Sequence, residues 1–320
     1  MLSRVADSIY WLNRYVERAE NVARFIDVNL NLLLDSPPGS EQQWKPILET
    51  TGDMEIFQKR YGQFDAETVL HFLTFDPGYR SSIFSCLLSA RDNARSVREI
   101  ISSEMWEQVN EFYMMVREAS KQPLDSLLRS SNFFDAVKQA SHLFEGIMDS
   151  TMSHGEGWHF GQVGRLLERA DKTSRILDVK YFILLPSVDT VGTAMDEIQW
   201  MALLKSASAY EMYRKHQGDH RISPSGVAEF LMLDPDFPRA IRSCLLQAQG
   251  CLHQITGTPL RTWRNPAERS LGKLCAELDY ITIEEIIDRG LHEFLNDVQI
   301  QVNEIGHHLF DTFFLMDSPA

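Results

Sequence analysis

The strongest constraint on the fold of this 320-residue chain is an internal repeat. The segment 14–20, Arg-Tyr-Val-Glu-Arg-Ala-Glu, returns 151 residues later at 165–171 as Arg-Leu-Leu-Glu-Arg-Ala-Asp. A second block, Leu-Thr-Phe-Asp-Pro at 73–77, returns at 231–235 as Leu-Met-Leu-Asp-Pro, and Ser-Cys-Leu-Leu follows both copies. Matches that keep their order along the chain are typical of a duplication. The sequence therefore predicts two homologous halves.

The two halves are predicted to meet where a glycine-containing run, His-Gly-Glu-Gly at 154–157, interrupts the helical pattern. We assign residues 1–153 to the first α-helical half and residues 154–320 to the second, and we expect them to pack about an approximate two-fold axis. The sequence leaves open whether the halves are separate domains or share one core.

Both halves have the apolar spacing of helices. Between residues 2 and 35, apolar side chains recur at steps of three and four, which predicts one amphipathic helix that ends before Pro37. Asp76-Pro77 and Asp234-Pro235 are predicted as an N-cap and a first-turn proline, each opening the helix that carries Ser-Cys-Leu-Leu. Further expectations are helices over 90–119 and 125–150 and a loop over 250–266. No segment has convincing strand character, so the predicted fold class is all-α, an internally duplicated helical bundle.

Composition excludes several classes of protein. The chain has 31 Lys+Arg against 45 Asp+Glu, and its formal net charge of −14 disfavours general binding to nucleic acid or to an anionic membrane. The first residues lack a signal-peptide core, and the longest apolar runs are too short to span a bilayer. The four cysteines have no Cys-x-x-Cys spacing and are predicted to be buried thiols in a reducing compartment, so we expect a cytoplasmic protein. They are Cys86, Cys244, Cys251 and Cys275.

The repeated segment places charged side chains beside the apolar stripe. Acid–base pairs one turn apart predict structural ion pairs, with the residues Glu20, Arg24, Asp27, Asp171, Arg175 and Asp178. Two like-charge pairs at the same spacing, Arg14 with Arg18 and Arg165 with Arg169, are unfavourable unless anions neutralise them. Three interpretations stay open for these arginines: a solvated face, a buried ion-pair network between helices, or a site for a carboxylate or phosphate group.

A second arginine-rich segment follows the first Ser-Cys-Leu-Leu. The spacing predicts that Arg91, Arg95 and Arg98 share one helix face, with Asn93 beside them. The second half keeps only fragments of this segment, which favours a functional role for it. We therefore predict anion binding at these four residues, and a salt-bridged helix is the alternative.

Motifs for metals, cofactors and nucleophiles are weak. Glu156 with His159 and Glu304 with His307 have the spacing used in di-iron bundles, but the duplication does not align them, so we predict no metal site. No glycine-rich phosphate loop, dinucleotide fingerprint or nucleophile elbow is present, and no intrinsic cofactor is expected. Cys86 and Cys244 lie at equivalent apolar positions and are expected to be inert core thiols.

These residues resemble the alpha-E family, a bacterial all-helical domain named for its Glu-Arg motif. The resemblance rests on the N-terminal segment 1–24, on Ala-Arg-Asp-Asn-Ala-Arg at 90–95 continuing through Trp106 and Asn110, and on the second Glu-Arg block at 157–170. Asp92 stands where that family more usually has Glu. The resemblance implies partners: a circularly permuted ATP-grasp protein and a transglutaminase-like cysteine peptidase, in a system that forms or modifies amide or peptide bonds. ATP and Mg²⁺ are then expected on the partner only.

Three functional hypotheses follow. In the preferred one, the chain is a helical partner of an ATP-grasp ligase that presents an acidic or peptide substrate and binds carboxylate or phosphate groups with its Arg-rich helices. In the second, it is itself an enzyme acting on amide or peptide bonds, with Glu17 or Glu168 as general acid/base. This ranks lower because a carboxyl paired with arginine normally has a lowered pKa. In the third, it is a purely structural interaction module.

Overall fold

The computed structural model describes residues 1–34, 44, 48, 51–123, 132–184, 194–217 and 222–315 of the chain, and all of their regular secondary structure is helical. These ranges contain fourteen α-helices and a π-helical turn, and they contain no β-strand. The predicted fold class is therefore confirmed at the level of an all-α protein.

Seven of the helices in the described ranges precede residue 185. They are α1 Ser3–Leu34, α2 Met54–Arg60, α3 Ala66–Thr74, α4 Ile83–Ser96, α5 Ser103–Ala119, α6 Asn132–Thr151 and α7 Glu156–Leu184. Seven more follow: α8 Ala194–Ser206, α9 Tyr210–Gln217, α10 Pro224–Leu233, α11 Ile241–Thr256, α12 Pro266–Tyr280, α13 Ile283–Arg289 and α14 Leu291–Leu309. The π-helical turn Phe310–Phe314 extends α14.

The two longest helices, α1 and α7, pack against each other at the middle of the protein. On one side of this pair, α1 contacts α4 and α6, and α5 closes the group by packing on both. On the other side, α7 contacts α11 and α14, and α12 packs on both. The buried apolar side chains form two clusters accordingly: one draws on residues 9–148, and the other on residues 160–314 together with Ala6, Tyr10 and Phe25 of α1.

A glycine permits the close approach of α1 and α7. A Cβ atom built on Gly164 would lie 2.4 Å from the backbone oxygen of Tyr10, so no larger residue fits without a shift of one backbone. The sequence repeat has Asn13 at the matching place in α1. The close approach at this crossing therefore depends on glycine in α7, and not on the matching residue of α1.

The predicted helix over 90–119 is wrong, because the structure divides it into α4 and α5. Buried Val97 and Ile101 anchor the intervening turn, and the side chain of Ser102 caps α5 by accepting a hydrogen bond from the Met105 amide at 3.1 Å. Serine at this position supplies an acceptor for an otherwise unpaired amide, which stabilises a new helix start. Periodicity alone does not reveal such a break, since apolar spacing continues through the turn.

The two Asp-Pro pairs do not open the Ser-Cys-Leu-Leu helices as predicted. Those helices begin at Ile83, with Ser82 as the N-cap, and at Ile241. Asp76 instead accepts hydrogen bonds from the Gly78 amide at 2.8 Å and from the Arg60 guanidinium at 2.8 and 2.9 Å. Asp234 accepts from the amides of residues 236 and 237 at 2.9 and 2.7 Å. Both aspartates therefore stabilise turns that precede the helices.

Other boundaries follow the sequence more closely. The first helix is described as far as Leu34, and its predicted end before Pro37 lies outside the described residues. Helix α7 begins within the run that interrupts the pattern at 154–157. The predicted loop over 250–266 starts too early, since α11 continues to Thr256 and ends at Gly257 with φ +67°, a left-handed cap that favours glycine. Residues 125–131 of the predicted helix over 125–150 lie outside the described residues, and α6 covers the remainder. Among the helices described, none is long and apolar enough to cross a membrane.

Candidate functional site: the charged centre between α1 and α7

Charged side chains from α1 and α7 meet at the middle of the protein, although both helices also carry broad apolar stripes. The apolar residues of α1 at steps of three and four mostly face the cluster of residues 9–148, and those of α7 face the second cluster. The charged stripe of each helix is thereby turned toward the other helix. Burial of these charges is tolerated only because each finds an opposite charge with a matching hydrogen-bond geometry.

The two Glu-Arg dipeptides pair reciprocally across this contact. Arg18 donates to Glu168 from Nε at 2.7 Å and from Nη2 at 2.9 Å. Arg169 donates to Glu17 from Nε at 2.9 Å and from Nη2 at 2.8 Å. Both contacts are bidentate, the geometry in which a planar guanidinium binds a carboxylate most strongly. Each helix therefore supplies the counter-ion of the other.

Further cations surround the two central carboxylates. Arg14 donates to Glu168 at 2.9 Å, and Lys172 lies 3.6 Å from the same carboxylate. On the other side, Arg239, in the loop that precedes α11, donates to Glu17 at 3.1 Å and also binds Glu20. The like-charge spacing of Arg14 and Arg18 is therefore neutralised by a carboxylate of the opposite helix, which corresponds to the second interpretation of these arginines, a buried ion-pair network.

The central carboxyl groups are ionised at neutral pH. Burial raises the pKa of Glu168, but the charges of Arg18, Lys172 and Arg14 outweigh it and hold the pKa well below its usual range. Burial likewise raises the pKa of Glu17, and Arg169 and Arg239 again reverse the sign. A general acid or base needs a pKa near the working pH, so the surroundings of Glu17 and Glu168 suit ion pairing and not proton transfer.

The acid–base pairs within each helix form as the spacing predicts. Arg24 binds Glu20 at 2.7 Å, and Arg175 binds Asp171 at 3.0 Å. The outer aspartates connect to other helices, because Asp27 accepts from Lys138 of α6 at 2.7 Å and Asp178 lies 2.6 Å from His292 Nδ1 of α14.

Arg165 is the counterpart of Arg14 in the sequence repeat, but it does not bind a carboxylate of the opposite helix as Arg14 does. Its guanidinium binds Gln162 and the carboxylate of Glu145 on α6, not a carboxylate of α1. Its surroundings form a narrow cleft, lined also by Asn13 and Ser141, with room for about one water molecule. The cleft is too small for a substrate, so this edge of the centre is closed.

The second predicted anion site lies on α4 and on the turn after it, away from the charged centre. Arg91 donates from Nε to Asn110 of α5 at 2.7 Å, and the side chain of Asn93 donates to the Ser89 carbonyl at 2.8 Å. Arg95 is exposed and makes no hydrogen bond or ion pair with any described residue. Arg98 lies just beyond the helix end, above the ring of Trp106 at 4.8 Å.

Sequence reasoning missed three members of the charged centre. Arg239 lies in a loop, and Glu145 lies on a helix outside the repeated segment, so no spacing pointed to either of them. Lys172 could have been found, because it aligns with Asn21 in the repeat and therefore adds a cation beside Asp171. Across the part of the chain that the structure describes, no group of three or more His, Cys, Asp or Glu side chains is arranged to hold a metal ion.

The fold and the charged centre define a class: an all-helical domain whose two longest helices exchange Glu-Arg pairs. The chain belongs to the Alpha-E family, described as a predicted alpha-helical domain with a conserved ER motif, whose model matches residues 1–314. In this sequence the dipeptide stands at the centre as Glu17-Arg18 and Glu168-Arg169. The resemblance noted from the sequence is thereby confirmed.

Three curated relatives match the chain, and they are uncharacterized proteins of Mycobacterium bovis and Mycobacterium tuberculosis. Each is 23% identical over 275 residues, which covers 80% of this chain and 30% of the relative. The chain therefore spans about 30% of the length of the curated relatives it matches. No solved structure matches the chain significantly.

Proposed function

We propose that the chain is the helical, non-catalytic component of an ATP-dependent system that forms amide or peptide bonds, and that it presents an acidic or peptide substrate to an ATP-grasp partner. The observation that carries the proposal is the arginine face of α4, defined here as Arg91, Arg95 and Arg98. No described carboxylate pairs with these three side chains. The arginines of the charged centre are paired with carboxylates of the protein itself, whereas the arginine face remains open to carboxylate or phosphate groups of the partner and its substrate.

The arginine face is partly preorganised. The ring of Trp106 contacts two guanidinium groups: that of Arg91 lies 5.8 Å from the ring centroid and that of Arg98 lies 4.8 Å from it. Stacking on an aromatic ring uses the flat face of a guanidinium and leaves its N–H edge free to bind a carboxylate or phosphate. Fewer side-chain rotations are then lost on binding, which favours affinity.

The lengths of the relatives support a role beside other domains. The segment that this chain matches makes up 30% of each relative, so in those proteins the helical domain is joined to further polypeptide. In the proposed system ATP and Mg²⁺ bind to the circularly permuted ATP-grasp partner in the cytoplasm, and a transglutaminase-like cysteine peptidase acts on the same type of bond.

The second candidate function is a structural interaction module, and the reciprocal Glu-Arg pairs favour it. Buried ion pairs add little stability over apolar packing, but they fix how two helices are aligned. Such a centre would hold a rigid surface for a partner without binding any substrate. An enzyme that uses Glu17 or Glu168 as acid/base is disfavoured by the lowered pKa of both groups.

We also propose that the two halves arose by duplication and pack about an approximate two-fold axis. The contacts of α1 with α4 and α6 have counterparts in those of α7 with α11 and α14, and α5 and α12 close their groups in the same way. The exchange of Glu17-Arg169 and Glu168-Arg18 supports the same relation.

The test is a binding measurement between the purified chain and a circularly permuted ATP-grasp protein from the same genome. The proposal expects a complex, and it expects R95E/R98E to weaken it about tenfold or more, since reversed charges at an interface repel the partner. R117E is the matched control, because Arg117 is an exposed arginine of α5 whose guanidinium hydrogen-bonds only the Met114 sulfur among the described residues. It should change the dissociation constant less than about twofold.

A ligation assay then separates presentation from simple docking. With an acidic peptide, an amine and Mg-ATP, the complex should release phosphate faster than the partner alone, and R95E/R98E should remove this gain. A complex that forms without any gain in ligation favours the structural module. Turnover by the isolated chain, abolished by E17Q or E168Q in a folded protein, would overturn the non-catalytic assignment.

A further inference from the structure

A separate groove lies between the first half of α12 and the last turns of α14. Its volume is about 510 Å³, within the range of small-molecule and peptide sites. The loop before α12 forms one wall and contributes Trp263 and Arg264, while Arg269 and Lys273 project from α12. None of these four residues belongs to the charged centre or to the arginine face of α4.

The groove is basic in an acidic protein. Arg264, Arg269 and Lys273 are exposed and form no ion pair with a described carboxylate. Arg269 and Lys273 are one turn apart on α12, a like-charge spacing that destabilises a helix unless an anion lies between them. Glu304 is the carboxylate among the lining residues, so the local charge is positive while that of the chain is −14.

An exposed tryptophan adds an aromatic surface to these charges. Trp263 is 57% exposed, and the guanidinium of Arg269 lies 5.0 Å from its ring centroid. Large aromatic side chains at this level of exposure are costly to leave in water and are enriched where proteins bind partners. The groove therefore offers one apolar contact beside three positive charges.

The groove favours carboxylates over a nucleotide phosphate. Phosphate sites at helix N-termini use free backbone amides, but at the start of α12 Pro266 has no N–H and the Glu268 amide is bound by the Asn265 side chain at 2.9 Å. The buried Glu268 carboxylate accepts a hydrogen bond from the Arg264 amide at 2.6 Å, so this backbone amide is also unavailable to a phosphate. Burial raises the pKa of Glu268, but hydrogen bonding to the carboxylate, including that from the Arg264 amide, outweighs burial and lowers the pKa, so the group is ionised.

We propose that this groove binds an extended acidic peptide, with carboxylates on Arg269 and Lys273 and an apolar side chain against Trp263. Side chains one helical turn apart are separated by about 5–6 Å. Alternate side chains of an extended peptide are separated by about 7 Å and point the same way, so acidic residues at every second position match this spacing. The groove is a second basic surface, distinct from the arginine face of α4. The assignment deepens the proposed function by specifying an extended acidic peptide as the substrate, and it rests on that function only for the peptide being a substrate.

The experiment measures fluorescence anisotropy of a labelled peptide, Glu-Ser-Glu-Ser-Glu-Tyr, with the isolated full chain at low ionic strength. The wild-type chain should bind it and should not bind the matched peptide with lysine in place of glutamate. R269E/K273E should weaken binding about tenfold or more, and W263A several-fold, with W263F retaining more affinity than W263A. R117E, which makes one of the same charge reversals on a remote helix, should bind as the wild type does.

Several results would overturn the assignment. These are no binding of the acidic peptide by the wild-type chain, equal binding by R269E/K273E and the wild type, or displacement of the peptide by equimolar ATP, which would make the groove a nucleotide site. Because the altered side chains are exposed, all variants should share the wild-type melting curve, which circular dichroism checks. The measurement needs no ligase partner, so its outcome is distinguishable from failure of the partner-binding experiment.

Discussion

Glu168 neutralises more buried positive charge than any other single carboxylate discussed above, so E168Q is the most informative perturbation of the charged centre. Its carboxylate is fully buried and binds Arg14 and Arg18, with Lys172 at 3.6 Å. Glutamine has nearly the same shape, so the change removes the charge without leaving a large cavity. Three cations with side chains no more than 17% exposed would then lose their common counter-ion.

The expected cost of E168Q is about 3 kcal/mol of unfolding free energy, at the lower end of the range for breaking a buried pair because the cations retain slight contact with water. E17Q should cost less, about 2 kcal/mol, since Arg169 keeps Glu145 at 3.2 Å and Arg239 keeps Glu20. E111Q changes an exposed carboxylate of α5 and should lie within about 0.5 kcal/mol of the wild type.

Urea denaturation is the suitable assay, because urea is uncharged and does not screen the ion pairs as guanidinium chloride would. Near- and far-ultraviolet circular dichroism should report one transition, which justifies extracting a free energy. The reasoning is refuted if E168Q unfolds within about 0.5 kcal/mol of the wild type, or if E17Q proves the more destabilising of the two.

Three further predictions concern pH, packing and thiols. A carboxyl group whose pKa is lower in the folded than in the unfolded protein stabilises the fold at any pH above its unfolded pKa, and this stabilisation is lost as the pH falls. Because the pKa of Asp171 is lowered from 3.8 to about 2, the urea midpoint should be constant near pH 7 and should fall between pH 4 and pH 2. A midpoint that rises on acidification would contradict this sign. G164A should destabilise the protein by about 1–3 kcal/mol because the added Cβ meets the Tyr10 backbone, whereas G146A, in open space on α6, should stabilise it by about 0.5–1 kcal/mol. Thermal melts of the two variants test this, and a similar effect of both would exclude the close approach of the helices as the reason. Burial raises the pKa of Cys86 to about 12 and that of Cys244 to about 11, so a thiol reagent at neutral pH should modify these two cysteines only after denaturation. Rapid labelling of the native protein at either cysteine, located by mass spectrometry, would contradict this prediction.

The sequence predicted the helices that depend on periodicity and missed the features that depend on tertiary contacts. The start of α7 near Gly155 follows from local chemistry. The break at 97–102 does not, because a single serine cap on α5 and two buried apolar side chains decide it. Asp76 has N-cap chemistry, but a guanidinium from α2 holds it in a turn.

The same distinction between local spacing and tertiary contacts applies to the candidate sites. Spacing along one helix identified Arg14 and Arg18 as an unfavourable pair and named neutralising anions as the remedy. It could not reveal that the anion is Glu168, because that carboxylate comes from a helix 150 residues away. The exposure of Arg95 and the basic groove at Trp263 also depend on which helices pack together, and no pattern in the sequence encodes that directly.

The origin of the counter-ions at the charged centre has a consequence for pieces of the protein. Glu17, before the junction at 153–157, takes its cations from Arg169 and Arg239 after it, while Glu168 takes Arg14 and Arg18 from before it. A fragment cut at the junction therefore carries a central carboxylate without the guanidinium that binds it through two hydrogen bonds. Co-expressed as two polypeptides, the complementary pieces should reassemble with each other in preference to pairing with themselves, since a pair of N-terminal pieces would lack Arg239 and a pair of C-terminal pieces would lack Arg18.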